Sequence, residues 1–107
     1  MKIINLERGE GKTTRLCYAS EFQNIPILCA YKAQKKEIVQ RAAQYGLKIP
    51  YPICVDDIMC NKQIWQEVLE GNILIDEAPM VLNLLLTNLG FRGSINAITL
   101  TEKDNLI

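Results

Sequence analysis

The sequence predicts a three-layer α/β fold, in which helices cover both faces of a mostly parallel sheet of about five strands. Short apolar runs of strand length alternate along the chain with longer segments of helical periodicity. The run at residues 25–31 is apolar almost throughout, which is typical of a strand that is covered on both faces. We therefore expect a single domain that spans residues 1–107.

The first half of the chain predicts two strand–helix units. Residues 3–6 are mostly apolar and predict a first strand, from which a Gly-rich turn leads into a helix over residues 12–22. Residues 25–31 predict the second strand, and residues 32–45 predict a helix that ends before Gly46. The opposite face of this second helix is basic, which is typical of a solvated face; contact with nucleic acid is the alternative. The residues expected to face the core are Leu16, Ala19, Ile38, Val39, Ala42 and Ala43.

The middle of the chain predicts an edge strand and two short helices. Residues 53–55 follow a proline and predict the edge strand. Asp56 and Asp57 predict the cap of a short helix, which explains this acidic pair better than a metal site does. Asn61 predicts a second cap, for a helix that ends at Gly71. The residues of this helix expected to face inward are Ile64, Trp65, Val68 and Leu69.

The last third of the chain predicts two strands around an unusually apolar helix. Residues 72–78 predict a buried strand that ends in two acidic residues, and Pro79 suits the first helical position before residues 80–89. That helix is apolar around nearly its whole circumference, so it is either fully buried or it contacts a partner. We therefore expect a homo-oligomer or a complex with another protein. Residues 94–101 predict the final strand.

Charge and composition exclude several classes of function. The 12 basic residues balance the 12 acidic ones, so the net charge does not indicate nucleic acid, although local basic patches leave that partner open. The absence of histidine removes histidine-dependent catalytic triads. The four cysteines lie far apart, so we expect buried thiols of a cytoplasmic protein and no zinc site. The sequence shows neither a signal segment nor a run long enough to span a membrane.

The Gly-rich turn at residues 8–14 has the composition of a phosphate-binding loop. Its glycines allow backbone N–H groups to point at an anion, and the start of the following helix adds a partial positive charge. Lys12 is expected to reach the terminal phosphates of a nucleotide, and the Thr13 hydroxyl is expected to bind Mg²⁺. The full pattern G-x-x-x-x-G-K-[ST] would place its first glycine at Leu6, so an ordinary turn with a surface lysine is the alternative. The residues expected to bind the nucleotide are Arg8, Gly9, Glu10, Gly11, Lys12, Thr13 and Thr14.

The acidic pair at the end of the predicted strand at residues 72–78 complements this turn. Asp76 is expected to bind Mg²⁺, and Glu77 is expected to orient an attacking water. A strand that runs into an acidic turn is common, and this is the alternative explanation. Found in one chain with the Gly-Lys-Thr turn, the pair favours binding of ATP with Mg²⁺, with Lys12 and Glu77 as the catalytic residues.

Together these motifs resemble the P-loop NTPases. The turn at residues 8–14 is similar to a degenerate Walker A motif, and Ile75-Asp76-Glu77-Ala78 is similar to a Walker B motif. Leu28-Cys29-Ala30-Tyr31-Lys32 resembles the helicase strand after the P-loop, and residues 98–101 resemble the strand that senses the γ-phosphate. The order of elements is similar to the first RecA-like domain of helicases and to the ATPase domain of phage terminases. In size and loop sequence the chain resembles the small P-loop proteins encoded by bacteriophages.

The resemblance implies a RecA-like sheet in which the last strand lies between the first strand and the Walker B strand. It implies weak ATP hydrolysis, a role in phage DNA handling, and the host cytoplasm as location. Thr99 or Thr101 would sense the γ-phosphate, and Arg92 or Arg8 would serve as an arginine finger.

Two other functions remain open. Some thymidine kinases combine a Gly-Lys-Ser/Thr loop with an Ile-Asp-Glu-Ala box, so a nucleoside or nucleotide kinase is one alternative. A non-catalytic P-loop scaffold that binds a phage or host protein is the other.

Overall fold

The computed structural model describes residues 11–90 and 92–93. Along this part of the chain, helices alternate with short strands. The helices are α1 (Lys12–Gln23), α2 (Lys32–Gln44), α3 (Val55–Cys60), α4 (Lys62–Glu70) and α5 (Ala78–Asn88). The strands are β1 (Ile27–Cys29), β2 (Ile53–Cys54) and β3 (Leu74–Ile75).

The strands form an all-parallel sheet in the order β2-β1-β3. Leu28 of β1 lies opposite Ile53 on one side and Ile75 on the other. The predicted α/β class with a parallel sheet is therefore confirmed. The predicted strand number is corrected to three within the described residues. The two other predicted strands, at residues 3–6 and 94–101, lie outside them.

Two apolar clusters lie on opposite faces of the sheet, because successive side chains of β1 point to opposite sides. The first cluster joins the sheet to α1 and α2, and consists of Leu16, Cys17, Ala19, Ile27, Cys29, Ile38, Ala42, Cys54 and Leu74. The second joins it to α3 and α5, and consists of Leu28, Ala30, Val55, Ile58 and Val81. Helices thus cover both faces of the described sheet.

Most of the predicted inward-facing residues pack as expected. Those confirmed as buried or packed against a cluster are Leu16, Ala19, Ile38, Ala42, Ile64 and Val68. The prediction is wrong for Val39, Ala43 and Trp65, which are exposed. Ile38 and Ala42 are four residues apart and share the core face of α2. Val39 and Ala43 lie about 100° further around the same helix and face solvent.

The strands are shorter than predicted, but their backbone pairing continues past their ends. The N–H of Leu74 donates to the carbonyl of Pro26 (3.0 Å), and the N–H of Asp76 donates to the carbonyl of Leu28 (2.9 Å). The predicted edge strand at residues 53–55 loses its last residue, because Val55 already begins α3. Asp76 is therefore held against the central strand by its own backbone.

Side chains of Asn61 and Asp57 organise the starts of two helices. Asn61 is the predicted cap of α4, and its Oδ1 accepts from the N–H groups of Gln63 (2.9 Å) and Ile64 (3.3 Å). Asp56 and Asp57 lie inside α3 and do not precede it, which corrects their predicted position. Asp57 reaches back from the third position of α3, where its Oδ2 accepts from the N–H of Cys54 (2.9 Å) and from the ammonium of Lys35 (2.9 Å).

Helix α5 begins two residues earlier than predicted and is not fully buried. Val81 is its buried residue, whereas Leu82 is 40% exposed and Leu89 is 76% exposed. This apolar surface is compatible with the expected partner, which stays a prediction. Over residues 11–90 and 92–93, no helix has the length and apolar character needed to cross a membrane.

We predict that Asp57→Asn lowers the free energy of unfolding by about 1 kcal/mol at pH 7, because the amide loses the charge that faces Lys35. Burial opposes ionisation of Asp57, but the hydrogen bonds from Cys54 and Lys35 outweigh it and hold the pKa of this carboxyl below its ordinary value. Its contribution is therefore present above the ordinary carboxyl pKa and is lost as pH falls through the lowered value.

Urea unfolding of the wild type and of Asp57→Asn between pH 2 and 7 measures this loss. Asp56→Asn is the matched control, because it removes the same charge from an exposed neighbour. Equal pH dependence of the two variants would contradict the role of Asp57.

Candidate functional site

The start of α1 presents backbone donors at the carboxyl edge of the sheet. Gly11 is the residue before the helix and adopts the left-handed conformation (φ 72°, ψ 29°), which glycine tolerates and most residues do not. No side chain within the described residues caps this helix start. The first N–H groups of α1 are therefore available to an anion, and the helix dipole favours negative charge there.

Thr13 and Lys12, in the first turn of α1, contact the two acidic residues that follow β3. The Thr13 hydroxyl donates to Oδ2 of Asp76 at 3.3 Å. The Lys12 ammonium forms an ion pair with Oε1 of Glu77. The two predicted motifs, more than sixty residues apart in the sequence, therefore meet at one edge of the sheet. In open α/β sheets this carboxyl edge is where ligands bind.

Asp76 is a buried carboxylate with an unpartnered oxygen. The residue is 6% exposed, and its Oδ1 has no hydrogen-bond partner among the described residues. Burial is the main cause that raises the pKa of Asp76, and the charge of Glu77 adds to it. The hydrogen bond from Thr13 and the charge of Lys12 act in the opposite direction. An ionised carboxylate in this position lacks part of its compensation, which a hard divalent cation with oxygen ligands would supply.

Glu77 adopts a backbone conformation that is uncommon for a residue with a side chain. Its φ of 57° and ψ of 61° lie in the left-handed region, and it is the residue that precedes α5. Strained residues of this kind cluster at functional sites, where the surrounding structure holds them in place. Here the conformation coincides with the carboxylate that pairs with Lys12.

A polar groove continues from the first turn of α1 along α2. It has a volume of about 330 Å³ and is lined by Thr13, Glu37, Gln40, Arg41 and Gln44. The guanidinium of Arg41 donates to the hydroxyl of Thr14 at 2.8 Å. Glu37 and Arg41 were not predicted as site residues. Their spacing with Gln40 and Gln44 places all four on one face of a helix, but any solvated helix face shows the same spacing, so no sequence signal singles them out.

Several predicted site residues cannot be placed. Arg8, Gly9, Glu10, Thr99 and Thr101 lie outside the described residues, so their predicted roles stay predictions. Arg92 is described and is exposed. The structure brings together Gly11, Lys12, Thr13, Asp76 and Glu77, with Thr14 joined to the groove through Arg41.

We predict that Asp76→Asn stabilises the ligand-free protein by about 1 kcal/mol at pH 7, because it removes a buried charge. The raised pKa of Asp76 means that its protonated carboxyl stabilises the folded protein. This contribution is fully present below the ordinary carboxyl pKa and is lost as pH rises through the raised value. Thermal unfolding without divalent cations should show this gain at pH 7 and no gain near pH 3. A variant less stable than the wild type at pH 7 would indicate that the carboxylate is already compensated.

Comparison with protein-family models, with curated proteins and with solved structures found no match to this chain. The function must therefore be argued from the chemistry of the site. Its described components are the amides of a helix start, a lysine, a hydroxyl and two carboxylates, one of which is buried with an oxygen that has no partner among the described residues.

Proposed function

We propose that this chain binds a nucleoside triphosphate, with ATP as the expected nucleotide, together with Mg²⁺ at the edge formed by residues 11–14 and 76–77. The observation that carries the proposal is the hydrogen bond from Thr13 to Asp76, a buried carboxylate whose other oxygen has no partner among the described residues. A purely structural carboxylate would have both oxygens satisfied. The arrangement therefore supports a function that brings a cation to this point.

The start of α1 supplies the phosphate-binding half of the proposed site. No described side chain caps the first amides of the helix after Gly11, and Lys12 carries a positive charge to the same edge. Amides at a helix start and a neighbouring ammonium are a recurrent arrangement for phosphate groups. The nucleotide phosphates are thus proposed to lie at residues 11–13.

Thr13 and Asp76 supply the cation-binding half. The hydroxyl and the carboxylate are oxygen ligands, which Mg²⁺ prefers, and they lie within hydrogen-bond distance of each other. Mg²⁺ usually keeps several waters and is bound by one or two protein groups together with substrate phosphates. When bound there, the cation would neutralise charge that develops on the transferred phosphoryl group.

Glu77 is proposed to orient a water once Lys12 leaves their ion pair and contacts the phosphates. In the structure the two side chains pair with each other, so they compensate each other's charge. Once Lys12 contacts phosphate, the Glu77 carboxylate is free to accept a hydrogen bond from a water and orient it for attack. Slow hydrolysis of ATP is the proposed activity. A kinase would differ only in using a nucleoside or nucleotide hydroxyl in place of this water.

We predict that ATP with Mg²⁺ raises the melting temperature of the wild-type protein, because a ligand that binds the folded state stabilises it by mass action. Lys12→Ala should weaken binding by about tenfold or more, since charge-assisted hydrogen bonds contribute about 1.5–3 kcal/mol. Differential scanning fluorimetry over an ATP titration measures both effects.

Lys62→Ala is the matched control, because Lys62 is likewise the first residue of a helix, in α4. This variant should bind ATP with the affinity of the wild type. Unchanged melting temperature of the wild type with millimolar ATP, GTP and ADP would refute nucleotide binding.

We predict that Glu77→Gln binds ATP as tightly as the wild type or about two- to fivefold more tightly, because Lys12 is released from its half-buried ion pair. The same change should abolish hydrolysis, since an amide does not act as a proton acceptor. Phosphate release measured with and without added nucleoside gives the rates. Glu70→Gln is the control, because Glu70 is an exposed carboxylate of α4. Equal turnover by wild type and Glu77→Gln would remove Glu77 from the mechanism.

A further inference from the structure

The polar groove beside Thr13 is not explained by the phosphate and cation site. Every residue that lines it carries a charge, a hydroxyl or an amide: Thr13, Glu37, Gln40, Arg41 and Gln44. Its volume of about 330 Å³ lies at the lower end of the range for small-molecule sites. The groove therefore suits a small, polar, hydrogen-bonding group.

The wall on α2 is one helical face. Glu37, Gln40, Arg41 and Gln44 are spaced by three and four residues, so their side chains share a side of the helix. A solvated helix face would show the same spacing. Two links to the phosphate site set this face apart. Arg41 donates to the hydroxyl of Thr14, and Thr13, in the first turn of α1, lines the same groove.

We propose that this groove receives the ribonucleoside part of the nucleotide, in an inference that rests on the proposed function. With phosphates at residues 11–13, the rest of the ligand has to leave the phosphate site along a neighbouring surface. The groove begins at Thr13, and Arg41 stands beside Thr14 at its entrance. A ribose and a base that extend over α2 would occupy it.

The lining supplies the groups that a ribonucleoside requires. The Glu37 carboxylate can accept from ribose hydroxyls, while its negative charge keeps phosphates out of the groove. Arg41 places its positive charge towards the phosphate nearest the ribose. The amides of Gln40 and Gln44 each offer two donors and an acceptor to the edge of a base. None of the described residues that line the groove is aromatic, so the proposed contacts to the base are hydrogen bonds and not stacking.

Calorimetric titration with inorganic triphosphate and with ATP, GTP, CTP and UTP, all with Mg²⁺, separates the groove from the phosphate site. The tightest of the four nucleotides should bind the wild type about tenfold or more tightly than triphosphate, since each well-made hydrogen bond contributes several-fold. The double variant Gln40→Ala/Gln44→Ala should bind that nucleotide at most about threefold more tightly than triphosphate. Its affinity for triphosphate should be unchanged, which also shows that the variant is folded.

A second variant tests the ribose contact. Glu37→Ala should remove the preference of the wild type for the ribonucleotide over its 2′,3′-dideoxy form. Gln63→Ala/Gln66→Ala on α4 is the matched control, because these glutamines are also exposed on a helix face. This control should still prefer the nucleotide to triphosphate and the ribonucleotide to its 2′,3′-dideoxy form.

The outcomes distinguish failure of the groove assignment from failure of the proposed nucleotide binding. Equal binding of triphosphate and nucleotides by the wild type would overturn the groove assignment and leave phosphate binding intact. Nucleotide preferences that survive all the α2 substitutions would overturn it as well. Absence of binding by triphosphate and by every nucleotide would refute the proposed function, and the groove assignment with it.

Discussion

The hydrogen bond between Thr13 and Asp76 joins the first turn of α1 to the end of β3, and the arrangement of the site depends on it. Asp76 is fixed independently by its backbone, because its N–H donates to Leu28 at the centre of the sheet. The side chain is therefore presented at a rigid position, with one oxygen towards Thr13 and the other without a partner among the described residues. The ion pair of Lys12 with Glu77 lies beside this contact.

The buried charge and the uncommon backbone conformation at this site lower the stability of the fold, and a bound ligand would restore it. Burial of the Asp76 carboxylate raises its pKa, and Glu77 occupies a left-handed conformation that few residues adopt without strain. Asp57, by contrast, is a carboxylate whose partners lower its pKa and which stabilises the start of α3. The two aspartates differ in their partners, because Oδ2 of Asp57 accepts two hydrogen bonds, whereas Oδ1 of the buried Asp76 has no partner among the described residues. A bound cation would supply a partner for Asp76, so ligand binding and folding are expected to be coupled.

Much of the fold could be predicted from the sequence, because apolar periodicity and capping residues act locally. The continuous run around β1 predicted a strand covered on both faces, and Asn61 predicted the start of α4. Asp57 was misplaced because its partners, Cys54 and Lys35, come from other elements. Trp65 was predicted to be inward, but whether a large side chain finds room in a core depends on the packing of several helices.

The candidate site was predictable where it depends on short motifs and not where it depends on tertiary packing. Lys12, Thr13, Asp76 and Glu77 carry recognisable chemistry at recognisable positions between a strand and a helix. The participation of α2 was not predictable, because its polar face has the pattern of any solvated helix. Only the packing of α2 against α1 places Arg41 on Thr14 and forms the groove.

The two motifs are proposed to form one site for a nucleotide and its cation. Paramagnetic broadening in ¹H–¹⁵N NMR spectra tests it, with Mn²⁺ and ATP in place of Mg²⁺ and ATP. We predict that the amides of Lys12, Thr13, Asp76 and Glu77 broaden together at substoichiometric Mn²⁺, while those of α4 on the opposite face do not. Broadening confined to one of the two motifs, or spread over exposed carboxylates elsewhere, would contradict the claim.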